Sequence, residues 1–201
     1  MVTDIQDSSP FEALGPIIAD KNAELLWRQG KLQRQWVEKY PELFDARDLD
    51  IFLNQPQYHY FEACGAIWWL EQGYFCLVEK YDIKTPKDRH PRKAQIFHQL
   101  ISPSLFDRWW AAKSACHRTG PPDLFVYRPD LSEWFLCEVK GPTDSVRRSQ
   151  RSFWLELENI LGKRVRVLNI RWGQEAERDQ TQKAQQGVAP YVAQSAPSGE
   201  R

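Results

Sequence analysis

The first third of the chain carries apolar residues at the spacing of an amphipathic helix. Between residues 18 and 40 they recur at steps of four or five: Trp27, Leu32, Trp36 and Tyr40. This spacing predicts a helix that Pro41 ends. A second short helix is predicted from Phe44 to Leu53. Residues 1–56 are therefore interpreted as an N-terminal helical cap whose first ten residues are disordered.

From residue 57 onward, apolar runs typical of strands alternate with helical periodicity. The predicted elements are a helix over 58–72 that ends at Gly73, a strand from Tyr74 to Tyr81, a helix over 94–116 broken near Pro103, strands Leu124–Tyr127 and Trp134–Val139, a helix Ser145–Leu161 capped by Asp144 or Ser145, and a strand Val165–Ile170. Residues 173–201 are rich in Gln, Ala, Ser and Pro and are predicted to be a disordered tail. The pattern indicates an α/β fold with a mixed sheet flanked by helices.

Two acidic residues mark the ends of the predicted hairpin. Asp123 opens its first strand, and Glu138-Val139-Lys140 closes the second. A turn between the strands brings the start of the first beside the end of the second, so Asp123, Glu138 and Lys140 should meet at one edge of the sheet. Two carboxylates and an ammonium in this arrangement suit a divalent metal and a phosphodiester.

This arrangement resembles the PD-(D/E)XK nuclease superfamily and, within it, the VRR-NUC family. The residues that carry the resemblance are Gly120, Pro122, Asp123, Leu124, the run Glu138-Val139-Lys140-Gly141-Pro142, Asp144, Gln150, Phe153 and Trp154. It covers about residues 58–172. The resemblance implies a restriction-endonuclease-like core, here a domain over 57–172 with a helical insertion near 82–121. Compact family members are similar in being dimers that cut four-way junctions, and the insertion puts that reading of this chain in doubt.

The resemblance also implies a set of roles at the site. Asp123, Glu138 and the backbone carbonyl of Val139 would bind Mg²⁺ or Mn²⁺, and Lys140 would hold or help deprotonate the attacking water. Each residue also has an ordinary explanation. Asp123 could simply form a turn after Pro122, and Glu138 with Lys140 could be an exposed ion pair on an edge strand.

Two further residues are matched to the site through the resemblance. Glu62 corresponds to an acidic position on the family's first helix, and Gln150 to a glutamine that faces the active site. The alternatives are a surface glutamate and a glutamine bonded to backbone at the edge of the core. The four histidines, His59, His90, His98 and His117, show no pair at metal-ligand spacing on one helix and are not predicted to be ligands.

The distribution of charged residues along the chain is more informative than their net charge. The 201 residues have a formal net charge of zero, yet residues 84–118 carry eight basic and two acidic side chains, and residues 140–171 carry eight and three. This charge brackets the predicted site and suggests a path for a DNA backbone. The predicted DNA contacts are Lys113, Arg118, Arg147, Arg148 and Arg151. Two solvated basic faces would give the same pattern.

Cysteine spacing and hydropathy bear on zinc binding and on the cellular compartment. The four cysteines form no Cys-x-x-Cys pair, which argues against a zinc site. With no signal peptide or transmembrane run recognised, the expectation is a protein of the reducing cytoplasm without a membrane partner.

Three functions remain open at this point. The leading interpretation is a metal-dependent DNA endonuclease, selective for flapped or branched DNA in repair or recombination. The alternative is an antibacterial nuclease toxin, secreted as an effector and neutralised by an immunity protein. A catalytically inactive DNA-binding module is the third, and the retained Asp123, Glu138 and Lys140 count against it.

Overall fold

The computed structural model describes residues 11–83, 90–116 and 120–173. Its five strands are β1 (Glu12–Ala19), β2 (Phe75–Val78), β3 (Leu124–Tyr127), β4 (Trp134–Lys140) and β5 (Val165–Trp172). Its helices are α1 (Lys21–Arg28), α2 (Lys31–Lys39), α3 (Ala46–Asn54), α4 (Tyr60–Glu71), α5 (Pro91–Leu100), α6 (Pro103–Ala115) and α7 (Arg148–Leu161). Among these described helices, none has both the length and the apolar character required to cross a membrane.

The strands form one mixed sheet in the order β1-β5-β4-β3-β2. β2, β3 and β4 pair antiparallel, whereas β5 runs parallel to both β4 and β1. The parallel β4–β5 pair requires a crossover, and α7 supplies it. The predicted α/β fold, with a mixed sheet between helices, is confirmed.

The N-terminal segment departs from the prediction. Periodicity predicts a helical cap over residues 1–56, but Glu12–Ala19 forms β1 and pairs with β5. Pro16 has no N–H and cannot continue a helix, and an edge strand accommodates it. The helical part begins only after Asp20, whose side chain accepts a hydrogen bond from the Asn22 N–H at 2.8 Å. The division into a cap, a nuclease domain over 57–172 and a tail stays a prediction.

Other helix boundaries move by a few residues. The helix predicted from Ser145 begins at Arg148, with Arg147 rather than Asp144 or Ser145 at its N-cap. The break predicted near Pro103 separates α5 from α6, where the Ser102 hydroxyl caps the second helix.

Three predictions concern residues that lie outside the described part of the chain, which are 1–10, 84–89, 117–119 and 174–201. They are the disorder of the N-terminal segment, the disorder of the C-terminal tail and the DNA contact of Arg118.

Two apolar layers cover the two faces of the sheet. Leu124, Val126, Cys137 and Val139 face one layer, which also contains Trp27 of α1, Phe52 of α3 and the inner residues of α4. Phe125, Tyr127 and Leu136 face the other, formed with α5, α6 and α7. Alternate residues of β3 and β4 thus serve different layers, as the pleat of a strand requires. All residues of both strands are buried.

Gly65 allows α4 to lie unusually close to the sheet. A Cβ atom added there would come within 2.9 Å of Val139 Cγ2 and 3.3 Å of Leu168 Cδ2. Both neighbours belong to the buried layer, so they have little room to shift. The glycine therefore sets the distance between α4 and β4, and with it the distance between Glu62 and the end of β4.

We expect Gly65→Leu to lower the free energy of unfolding by about 1–3 kcal/mol, because overpacking a tight core forces side chains off their rotamers. The midpoint of urea denaturation measures the change. Gly120→Leu is the matched control, since a Cβ at Gly120 meets no atom within 4 Å. Equal midpoints for the two variants would contradict close packing of α4 at Gly65.

Candidate active site

The pairing of β3 with β4 creates the centre of the site. Leu124 pairs with Cys137, which puts Asp123 opposite Glu138 at the end of the hairpin. Asp123 Oδ2 accepts a hydrogen bond from the Val139 N–H at 2.9 Å, so its carboxyl group is fixed against β4. The two predicted carboxylates are therefore brought together. The side chain of Asp123 bonds to the neighbouring strand and does not simply form a turn after Pro122.

Glu138 is a buried carboxylate with two side-chain donors. Only 2% of the residue is exposed. Its Oε1 accepts hydrogen bonds from Lys140 Nζ at 2.6 Å and from Gln150 Nε2 at 2.9 Å. An ionised group at this depth needs such partners to offset its lost hydration. Lys140 is also 9% exposed, so this is not an exposed ion pair on an edge strand.

Gln150 connects helix α7 to the acidic centre. While its Nε2 donates to Glu138, its Oε1 accepts from the Arg147 backbone N–H at 3.1 Å and from Lys140 Nζ at 3.4 Å. The glutamine therefore satisfies one of the open N–H groups at the start of α7 and orients the Glu138–Lys140 pair. Phe153 and Trp154, one turn further on, are fully buried and hold α7 against the sheet.

Glu62 enters the site from the first turn of α4. Burial raises the pKa of its carboxyl group from 4.5 to about 7, and the carboxylates of Glu79, Glu138 and Asp144 add to the rise. Burial likewise raises the pKa of Asp123 well above its ordinary value, assisted by the charges of Glu138 and Glu62. The predicted residues thus form a single electrostatic cluster in which each carboxylate makes ionisation of the others harder.

The pKa of Glu138 is raised too, again mainly by burial. The ion pair with Lys140 and the hydrogen bonds from Lys140 and Gln150 oppose that rise. Carboxyl groups that resist ionisation in one buried cluster fit a hard divalent cation, which would supply the missing positive charge. Binding of that ion by Asp123, Glu138 and Glu62 stays a prediction, as does the Val139 carbonyl as a further ligand.

Two residues of the cluster are absent from the sequence-based set, Glu79 and His59. Glu79 directly follows β2, and its backbone N–H donates to the Asp123 carbonyl oxygen at 2.9 Å. Both residues have positive φ, 52° at Glu79 and 69° at His59. One signal in the sequence could have found Glu79, because it ends an apolar strand just as Glu138 does.

His59 lies immediately before α4 and only 8% of it is exposed. Its Nε2 is 3.1 Å from Gln55 Oε1, and its Nδ1 is 3.9 Å from Glu79 Oε1. Burial lowers its pKa to about 4, with contributions from the charges of Lys80 and Lys93. The imidazole is therefore neutral at pH 7.

The predicted DNA-binding residues are spread around this centre. Arg147 and Arg148 are exposed at the start of α7, and Arg151 is half-buried one turn later. Lys113 of α6 already has a protein partner, since its Nζ lies 2.5 Å from Asp82 Oδ2. DNA contact by these residues stays a prediction, and the ion pair makes Lys113 the weakest candidate among those described.

Comparison with known proteins gives two matches. The VRR-NUC domain family model matches residues 57–172. Fanconi-associated nuclease 1 of Danio rerio is 30% identical over 106 residues, which are 52% of this chain and 10% of that protein. The chain therefore covers about a tenth of the relative's length. No solved structure matches the chain at a significant level.

We expect the contribution of Glu62 to the stability of the metal-free protein to fall as the pH rises from 4.5 to about 7. In this interval folded Glu62 retains a proton that the unfolded chain has released, so its stabilising contribution is complete below 4.5 and is lost as the pH passes about 7. Glu62→Gln cannot ionise and should flatten the fall. Urea denaturation in EDTA at several pH values measures it.

Glu71→Gln is the control, because Glu71 is exposed at the other end of the same helix. It should leave the pH dependence unchanged. A dependence that is identical in the parent and in Glu62→Gln would contradict the raised pKa of Glu62. A residual pH dependence in Glu62→Gln is expected from Asp123, Glu79 and Glu138, whose pKa values are also raised. His59 acts in the opposite direction, because its lowered pKa makes stability rise with pH between about 4 and 6.5.

Proposed function

Because this chain belongs to the VRR-NUC family of nucleases, we propose that it is a divalent-metal-dependent DNA endonuclease that acts on flapped or branched DNA in repair or recombination. The observation that carries the proposal is the buried contact of Lys140 with Glu138, at 2.6 Å, beside Asp123. These groups supply oxygen ligands and a fixed ammonium at one point. A metal held by such oxygens and a nearby ammonium both stabilise the negative charge that develops during phosphodiester hydrolysis.

Each residue of the centre has a distinct part in this proposal. A bound Mg²⁺ or Mn²⁺ would neutralise phosphate charge and lower the pKa of a bound water. Asp123, Glu138 and Glu62 supply the oxygens that hold the ion. Lys140 holds the attacking water and opposes the negative charge that develops on the phosphate. Gln150 holds the side chains of Lys140 and Glu138 in position.

The DNA backbone would approach along the start of α7. Arg147 and Arg148 are exposed there, within three residues of Gln150. Cations at a helix N-terminus oppose the helix dipole, and a phosphate bound between them and the free N–H groups would offset that cost. Such contacts carry no base-sequence information, so they are compatible with a substrate selected by its structure.

We expect Asp123→Ala and Glu138→Ala each to reduce cleavage below about a tenth of the parent rate, since loss of a catalytic ligand costs several kcal/mol of transition-state stabilisation. The assay uses labelled flap, fork, four-way-junction and linear DNA with Mg²⁺ or Mn²⁺. Asp130→Ala is the matched control, because Asp130 is an exposed carboxylate in the turn of the same hairpin.

Cleavage in EDTA, or near-parent activity of either variant, would refute the proposed metal chemistry. Equal rates on linear and branched DNA would refute the proposed structure selectivity alone. The toxin alternative uses the same catalytic residues, so a cellular assay separates it from repair. Toxicity on expression, relieved by the product of a neighbouring small gene, would favour the toxin.

Replacing Arg147, Arg148 and Arg151 by Ala should flatten the log–log dependence of DNA affinity on salt by about two to three units, near one unit for each lost phosphate contact. Binding is measured in Ca²⁺ at several salt concentrations. The control replaces Lys31, Arg34 and Lys39, which are exposed on α2, and removes the same net charge. An unchanged slope in the α7 variant would show that the DNA path lies elsewhere.

A further inference from the structure

A second group of potential metal ligands adjoins the proposed nuclease centre. Single ligand atoms of His59, Glu62 and Glu79 all lie within 4.8 Å of one another. They come from three places along the chain: the residue before α4, the first turn of α4 and the residue after β2. α4 packs directly against β2, so the three side chains are held by the fold rather than by one flexible loop.

His59 provides independent evidence for a ligand at this point. Its Nδ1 is buried and has no hydrogen-bond partner, although only 9% of the side chain is exposed. A buried polar nitrogen without a partner is destabilising and calls for an explanation. The nitrogen is directed toward the Glu79 carboxylate, at 3.9 Å, a distance too long for a hydrogen bond.

The other ring nitrogen identifies the form of the imidazole. His59 Nε2 lies 3.1 Å from Gln55 Oε1, and an amide oxygen can only accept a hydrogen bond. The proton of the neutral ring is therefore on Nε2, which leaves the lone pair on Nδ1. A histidine that coordinates a metal commonly donates its opposite N–H to an oxygen acceptor in this way.

The charges around the group also favour a cation. Glu62 and Glu79 share a cluster with Asp123 and Glu138, and Lys140 is bonded to only one of these four carboxylates. Lys93 approaches the backbone of Glu79, with Nζ 3.0 Å from its carbonyl oxygen. Its charge is paired with Asp48 at 2.5 Å, and together with the charge of Lys80 it only partly opposes the rise in the pKa of the Glu79 carboxyl group.

We propose that His59 Nδ1, Glu62 and Glu79 form a second divalent-cation site that prefers Mn²⁺ to Mg²⁺. Mg²⁺ takes oxygen ligands almost exclusively, whereas first-row transition ions accept an imidazole nitrogen together with carboxylates. The site shares Glu62 with the nuclease centre, so its role in cleavage rests on the proposed function, but its metal binding does not. The imidazole makes the two sites chemically distinguishable.

The test loads the full chain with Mn²⁺ and measures electron spin echo modulation, which detects a nitrogen nucleus bonded directly to the ion. The parent protein should show this ¹⁴N signal and bind one Mn²⁺ beyond the ion at Asp123 and Glu138. His59→Asn should remove the signal and weaken Mn²⁺ binding at this site by at least about 10- to 100-fold. Asparagine tolerates the left-handed backbone at this position better than alanine does.

Two further variants make the result specific. His98→Asn is the matched control, because His98 has its own partner, the Ile83 carbonyl oxygen at 3.0 Å, and it should keep the ¹⁴N signal. Glu79→Gln should weaken the same Mn²⁺ site without changing His59. Circular dichroism in EDTA confirms that each variant is folded. Absence of the signal in the parent, or its persistence in His59→Asn, would overturn the proposal.

Asp123→Ala separates this inference from the proposed function. It should abolish cleavage while retaining the ¹⁴N-coupled Mn²⁺. A parent chain that binds the ¹⁴N-coupled ion but cleaves no DNA would refute the nuclease proposal and support the second site. A parent chain that cleaves DNA with Mn²⁺ bound only through oxygen would refute the second site and leave the nuclease proposal intact.

Discussion

The register between β3 and β4 is the constraint on which the site depends, because it fixes both the position and the direction of the acidic side chains. Asp123 stands opposite Glu138, and alternation along β4 turns Glu138 and Lys140 toward α7 while Val139 faces α4. A slip of one residue would put Val139 beside Gln150 and bury Glu138 in the apolar layer. Burial of β3 and β4 on both faces makes such a slip costly.

The same arrangement holds carboxylates where water hydrates them poorly. Burial raises the pKa values of Glu62, Asp123, Glu79 and Glu138, and each acid raises those of its neighbours. Lys140 and Gln150 compensate Glu138 directly but reach only part of the cluster. The fold therefore tolerates a locally unfavourable group of charges, as functional sites often do. A bound cation would relieve the repulsion among these carboxylates.

Features encoded by nearby residues could be predicted from the sequence. The hairpin, the helix that carries Gln150 and the meeting of Asp123 with Glu138 all follow from apolar periodicity and spacing. His59 could not be placed in this way, because its direction depends on a positive φ angle that the surrounding sequence does not signal. Glu79 ends an apolar strand as Glu138 does, but its own positive φ angle could not be read from the sequence. β1 was equally inaccessible, since its partner β5 lies about 150 residues further along the chain.

That distant pairing has a consequence for synthesis. The β1 segment ends at Ala19, whereas β5, the neighbour it pairs with, is complete only at Trp172. At about 5–20 residues per second, roughly 8–30 s pass between the two events. During that interval a segment containing Leu14, Ile17 and Ile18 has no strand to pair with. Nascent chains of this protein would thus be vulnerable to chaperone capture or misassociation until β5 has been synthesised.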